Sequence, residues 1–106
     1  MKIGDILLVP FPFTDLSSTK IRPALVLALK SSDVILSFIT TKLSWIDEND
    51  LYVEAKPENG LKYNSIIKTG KILTLDINLI NGKLGNINKS QMNQIRNKLL
   101  KVLNLN

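Results

Sequence analysis

Two apolar runs, ALVLAL at residues 24–29 and VILSFI at residues 34–39, are separated only by Lys30-Ser31-Ser32-Asp33. A parallel pair needs a crossover of about a dozen residues or more, so strands joined this closely pair as an antiparallel hairpin. The second run is rich in β-branched and aromatic residues, which suit a pleated, half-buried surface. A turn centred on Ser31 sets the register: Ala28 faces Val34, Val26 faces Leu36, Ala24 faces Phe38 and Arg22 faces Thr40. Opposed Cβ atoms lie about 4.5–5.5 Å apart, which lets a guanidinium and a hydroxyl hold the same phosphate. A slip of one residue would send the two side chains to opposite faces.

Other short runs extend the sheet. ILLV at 6–9 is apolar and is stopped by Pro10-Phe11-Pro12-Phe13, whose prolines belong at a strand end or edge. LYVEA at 51–55 alternates, and SIIK at 65–68 and KILTL at 71–75 read as two strands parted by a bulge or bend at Gly70. Ser44 is placed to cap a short helical turn with Asp47 near the capping-box position. Near the end, Asn88 with Gln91 forms a capping box, Ile87 with Met92 a hydrophobic staple, and Met92, Ile95, Leu99, Val102 and Leu103 recur at helical spacing. A row of short strands with one late helix predicts a mainly β fold: a small antiparallel barrel with an appended C-terminal helix. At 106 residues and 44% hydrophobic, the chain reads as one domain over 1–106 with a single core.

The chain has no cysteine and no histidine. Disulfides, thiolate catalysis and Cys-zinc sites are thereby excluded, as are the usual neutral-pH base and the commonest metal ligand. No cofactor or metal is expected. The formal charge of +5 favours an anionic partner, and no acid follows Asp76 while Lys83, Lys89, Arg96, Lys98 and Lys101 do. Asp47-Glu48-Asn49-Asp50 reads as a solvated acidic loop, and Gly70-Lys71 and Gly82-Lys83 as turns, since the glycines of a phosphate cradle are missing. Trp45, Tyr52 and Tyr63 suit either base stacking or core cover. The amino terminus has no long apolar signal region, and no segment nears the roughly 20 apolar residues of a membrane-spanning helix, so a cytoplasmic location without membrane contact is expected.

Gly4-Asp5-Ile6, then Arg22-Pro23-Ala24-Leu25-Val26-Leu27, Ile39-Thr40, Leu73-Thr74-Leu75-Asp76 and Gly85 before the last helix resemble the PemK/MazF family of toxin endoribonucleases. The resemblance spans nearly the whole chain, and its GDI and RPALVL pieces are its most specific parts. It implies an SH3-like barrel, a homodimer, and metal-independent, sequence-selective cleavage of single-stranded RNA by 2′-OH attack, leaving a 2′,3′-cyclic phosphate. It also implies restraint by a cognate antitoxin with an acidic tail. By position, the family's catalytic arginine falls on Arg22 and its catalytic threonine on Thr40; Asp15 is a candidate base, and Lys20, Thr41 and Lys68 are candidate RNA contacts. The chain departs from relatives that carry Arg-x-Asp in the later strand, reading Lys68-Thr69-Gly70 there, so the acid of that pair is missing. Two other readings fit the same residues: a non-catalytic barrel that binds nucleic acid (RNA or DNA) or protein, and a toxin of this fold that poisons a protein target such as a topoisomerase.

Overall fold

The computed structural model describes residues 1–11 and 20–105. Six strands, β1 (Asp5–Phe11), β2 (Lys20–Lys30), β3 (Asp33–Thr40), β4 (Leu51–Val53), β5 (Ser65–Asp76) and β6 (Gly82–Asn86), precede one helix, α1 (Lys89–Val102). They form one antiparallel sheet in the order β4-β5-β3-β2-β1-β6, curled into an open half-barrel, as the strand pattern predicts.

Both faces of the central strands are apolar because the sheet is covered on both sides. Ile6, Leu25, Ile39, Ile67, Met92 and Ile95 share one cluster under the helix. Leu7, Val9, Ala24, Val26, Leu36 and Phe38 form the other, with Leu73, Leu75 and Ile80 packed against it. Alternation along β2 and β3 therefore sends odd and even positions into two separate cores.

The β2–β3 hairpin differs from its predicted register in an instructive way. The turn is the pair Ser31-Ser32, with Ser31 at φ 41°, so Lys30 faces Asp33 and Ala28 faces Ile35 rather than Val34. A bulge at Leu27 then absorbs one residue, and Val26↔Leu36 and Ala24↔Phe38 pair as predicted. The ladder stops at Ala24, next to Pro23, which has no N–H to donate. Pro10 likewise sits where β1 has already lost its β6 neighbour, beyond Leu8↔Gly82.

Residues 65–76 form a single strand rather than two. The expected irregularity at Gly70 is present as a bulge, since Phe38 faces Lys68 while Ser37 faces Ile72. Leu43–Trp45 is a short 3-10 turn that begins after Lys42 with no side-chain cap, so Ser44 lies inside the turn and caps nothing. Gly82-Lys83 lies within β6 and is not a turn.

Gly85 and Gly60 let the 56–60 turn cross β6 at backbone contact. A Cβ on Gly85 would strike the Glu58 carbonyl oxygen, and one on Gly60 (φ +70°) would strike that of Leu84. Gly85→Ala is expected to lower unfolding free energy by about 1–3 kcal/mol, read as an earlier urea midpoint at unchanged m-value.

The helix begins as read from sequence. Asn88 Oδ1 accepts from Gln91 N at 2.7 Å and Gln91 Oε1 accepts from Asn88 N at 3.0 Å, while Ile87 and Met92 bury together. Asn88→Ala should cost about 0.5–2 kcal/mol in the same denaturation measurement.

Candidate active site

The site opens where β2 and β3 part. Once the ladder ends at Ala24–Phe38, the strands splay, and a cavity of about 260 Å³ lies between Arg22 and Pro23 on one side and Phe38, Ile39 and Thr40 on the other. Thr41, Lys42 and Trp45, from the chain leaving β3, complete it. A second cavity of about 460 Å³ shares Arg22, Pro23 and Thr41 with the first and continues past Leu61, Lys62 and Tyr63. Arg22, Pro23 and Thr41 thus stand between the two cavities and face both.

Among the described residues no carboxylate lines either cavity, whereas Arg22, Lys42 and Lys62 do. Such a lining concentrates positive potential and draws anions. Arg22 is half-buried and paired in register with Val9, which fixes its backbone, and no carboxylate of the described residues forms an ion pair with its guanidinium. Thr40 is half-buried, and its Oγ1 accepts from Lys42 N at 3.1 Å. With an oxygen lone pair engaged by the backbone, the hydroxyl proton is directed elsewhere, and an anion in the cavity is its natural acceptor.

The predicted site residues separate into three groups. Arg22, Thr40 and Thr41 come together in the cavity. Lys20 stands on the exposed start of β2 opposite Phe11 and lines neither cavity, and Asp15 lies outside the described residues.

Lys68 is a correction. Sequence reading placed its ammonium on RNA, but its side chain is only 9% exposed and its Nζ donates to Asp50 Oδ2 at 2.6 Å and to the Trp45 carbonyl at 2.7 Å. Asp47 Oδ2 stands 3.5 Å away. A buried cation already matched by a buried carboxylate has no capacity left for phosphate. The acid missing at Gly70 is thus supplied by the β3–β4 connection, and Asp50, read as part of a solvated loop, is buried. Asp50 Oδ2 also accepts from Asp47 N, and Thr69 Oγ1 donates to the Asn49 carbonyl. Together these bonds tie residues 45–50 to β5 and so hold the wall of the cavity. Nothing in the local sequence marks this pairing, because its partners stand 18 residues apart.

The remaining acids of the described residues lie elsewhere. Asp47, Glu48 and Asp50 line a different cavity, beside Gly70 and Val102. Among the described residues no three acidic groups converge as a metal cluster, and no helix is long and apolar enough to cross a membrane.

Comparison with known proteins fits this geometry. Residues 2–103 match the model of the PemK-like, MazF-like toxins of type II toxin-antitoxin systems. The chain belongs to the PemK/MazF toxin family. Solved structures of MazF proteins share its fold: the Mycobacterium tuberculosis toxin MazF-mt6 superposes with a TM-score of 0.77 at 19% identity, over 96% of this chain and 98% of that one. MazF from Deinococcus radiodurans gives 0.78 at 16% identity, over 98% and 96%. A mycobacterial endoribonuclease solved with its cognate antitoxin gives 0.78 at 18%, over 97% and 94%. No curated protein sequence matches the chain. Within the PemK/MazF frame, the residues Arg22-Pro23 and Ile39-Thr40 that carried the resemblance are those that line the cavity at the β2–β3 fork.

Proposed function

We propose that this toxin is a metal-independent, sequence-selective endoribonuclease acting on single-stranded RNA, with the β2–β3 fork as its active site. The observation that carries the reading is that Arg22 and Thr40 line one cavity whose described walls hold cations and no carboxylate. Structural relatives include a protein described as an endoribonuclease bound to its cognate antitoxin, which supports the same activity and the same class of partner here.

The chemistry needs no protein nucleophile. The ribose 2′-oxygen gives up its proton and attacks the adjacent phosphorus, the P–O5′ bond breaks, the leaving 5′-oxygen takes a proton from solvent water, and the products are a 2′,3′-cyclic phosphate and a 5′-hydroxyl. Charge builds on the phosphoryl oxygens along the way. A guanidinium held on a fixed strand presents parallel N–H donors to those oxygens, and it stays charged throughout. Thr40 donates its hydroxyl to a further oxygen and orients the phosphate for in-line attack. Because both donors are in place before the substrate arrives, they stabilise the charge without reorganising during the reaction. Asp15, seven residues before Arg22, is assigned as the group that takes the 2′-OH proton, and Lys20 and Thr41 as contacts to flanking nucleotides. The protein acts as a homodimer, and an antitoxin with an acidic tail restrains it by occupying the cationic cavities.

Purified protein incubated with mixed-sequence single-stranded RNA in EDTA should cut at a recurring short motif. The fragments should carry 2′,3′-cyclic phosphate and 5′-hydroxyl ends by end-labelling. Intact RNA, or fragments with 5′-phosphates, would defeat the reading, and tight binding without cutting would favour a non-catalytic barrel.

A further inference from the structure

The geometry points to Trp45 as a nucleobase-stacking platform that selects the nucleotide next to the scissile phosphate, with Lys42 and Lys71 as its flanking phosphate contacts. This deepens the ribonuclease reading and rests on it.

Trp45 lines the same cavity as Arg22 and Thr40, yet 43% of it is exposed. Its backbone is held from two directions: Trp45 N donates to the Lys42 carbonyl at 3.0 Å, and the Trp45 carbonyl accepts from the buried Lys68 ammonium at 2.7 Å. A large ring on a fixed backbone and open to water gains little for the fold, and aromatic residues so placed at a cavity rim serve ligands. The Lys42 ammonium sits 4.4 Å from the ring centroid and that of Lys71 5.4 Å, with Lys71 also 6.0 Å from the Phe38 ring.

Those two lysines identify the ligand class. An exposed ammonium over an indole is a weak contact that a stacked base outcompetes, and both lysines are long, solvent-facing chains free to swing. When a base displaces such an ammonium, the freed cation remains within reach of the phosphate on either side of that base. An aromatic face bracketed by cations, in a cavity whose described lining includes no carboxylate, matches a nucleotide: the base takes the ring, and its phosphates take Arg22, Lys42 and Lys71, the last reaching the ring from the neighbouring cavity that it lines with Asp47, Glu48 and Asp50. A bare polyanion would satisfy the lysines but leave the indole uncovered. The Lys68–Asp50 pair beneath the turn holds the platform at a set distance from the Arg22–Thr40 cavity, which is how stacking at one base becomes selectivity at one bond.

Trp45 is the sole tryptophan in the chain, so its emission reports this position alone. Wild-type protein is titrated with a single-stranded 2′-deoxy oligonucleotide, which lacks the attacking hydroxyl, with an abasic oligonucleotide of equal length, and with polyglutamate. The base-bearing strand should quench Trp45 emission strongly, and the other two should not. In RNA cleavage, Trp45→Ala should raise KM about tenfold, equivalent to ~1.4 kcal/mol, with kcat changed less than about threefold, and should relax the base preference beside the cut. Trp45→Phe should restore most of the KM. Equal quenching by the abasic strand would overturn the platform, and so would an unchanged KM and cleavage pattern in Trp45→Ala. Quenching as strong by polyglutamate would assign the ring to an acidic protein partner and overturn it likewise. Base-dependent quenching by a protein that cuts no RNA would keep the platform and defeat the ribonuclease reading. RNA cutting without base-dependent quenching would do the reverse.

Discussion

Arg22→Ala should lower kcat for RNA cleavage by about 10²–10³-fold, the usual loss when one preorganised donor to a developing oxyanion is removed. The size follows from position. Arg22 is carried on a strand paired with β1, beside a proline that fixes φ, and among the described residues no carboxylate lines its cavity or pairs with it. KM should change far less than kcat, because the donor is matched to charge that appears in the transition state. Arg22→Lys should recover only part of the loss, since a lysine keeps the charge but not the planar fork. Thr40→Ala should cost less, about 10–10²-fold, as one hydrogen bond to a charged group is lost. Single-turnover kinetics on an oligonucleotide carrying the cleavage motif measure all three. Activity that survives Arg22→Ala would remove the fork from the mechanism.

The second large effect is on stability and reaches the site indirectly. Lys68→Met strips the partner from a carboxylate whose side chain is only 5% exposed, and breaking a buried pair from one side costs about 3–5 kcal/mol. Against a total stability of about 5–15 kcal/mol for a domain of this size, that is a large share. The loss should be mostly reversed in Lys68→Met with Asp50→Asn, because the amide keeps an acceptor for Asp47 N without leaving a charge buried. Urea denaturation of the two single variants and the double variant gives the coupling directly. A Lys68→Met midpoint equal to wild type would mean that the pair contributes nothing to the fold. The folded Lys68→Met fraction should also show shifted Trp45 emission, since the Trp45 carbonyl loses its donor.

What could be read from sequence, and what could not, divides along the range of the interactions. The helix start was legible in full because the Asn88–Gln91 box and the Ile87–Met92 staple are made within four or five residues. The antiparallel hairpin was legible because its turn is too short for anything else. Its register was correct at Val26↔Leu36 and Ala24↔Phe38 for an incomplete reason, since the two-residue turn at Ser31-Ser32 shifts the pairing by one and the bulge at Leu27 shifts it back, whereas the expected Arg22–Thr40 pair is not made because the ladder ends at Ala24. A leucine within an apolar run gives no sign that it is the unpaired residue. Strand β6 was missed because Gly-Lys-Leu-Gly-Asn has little strand propensity, and backbone pairing to β1 with the close glycine crossing makes it a strand instead. The role of Lys68 was misread for a different reason. A lysine two residues from an absent acid reads as free, and only the folded chain shows that Asp50 arrives from a distant loop to meet it.

At the site itself, the two residues picked out by register and resemblance do meet in one cavity, together with Thr41 and with Trp45, which the sequence offers for base stacking or core cover, whereas nothing in the sequence singles out Lys42. Lys42 and Trp45 belong to a turn held by side chains that carry no local signature. The fork geometry depends on Pro23 ending a ladder, which is legible once the strands are known.

In the proposed reaction the Arg22–Thr40 cavity cleaves RNA by using the substrate's own hydroxyl. An oligoribonucleotide containing the mapped cleavage motif, with a single 2′-deoxy substitution at the nucleotide 5′ to the cut, tests it most directly. This strand should bind with near wild-type affinity and remain uncut at that bond while the all-ribose strand is cleaved. Cleavage of the deoxy-substituted bond at a comparable rate would contradict the proposed reaction, because the attacking oxygen would then have to come from somewhere else.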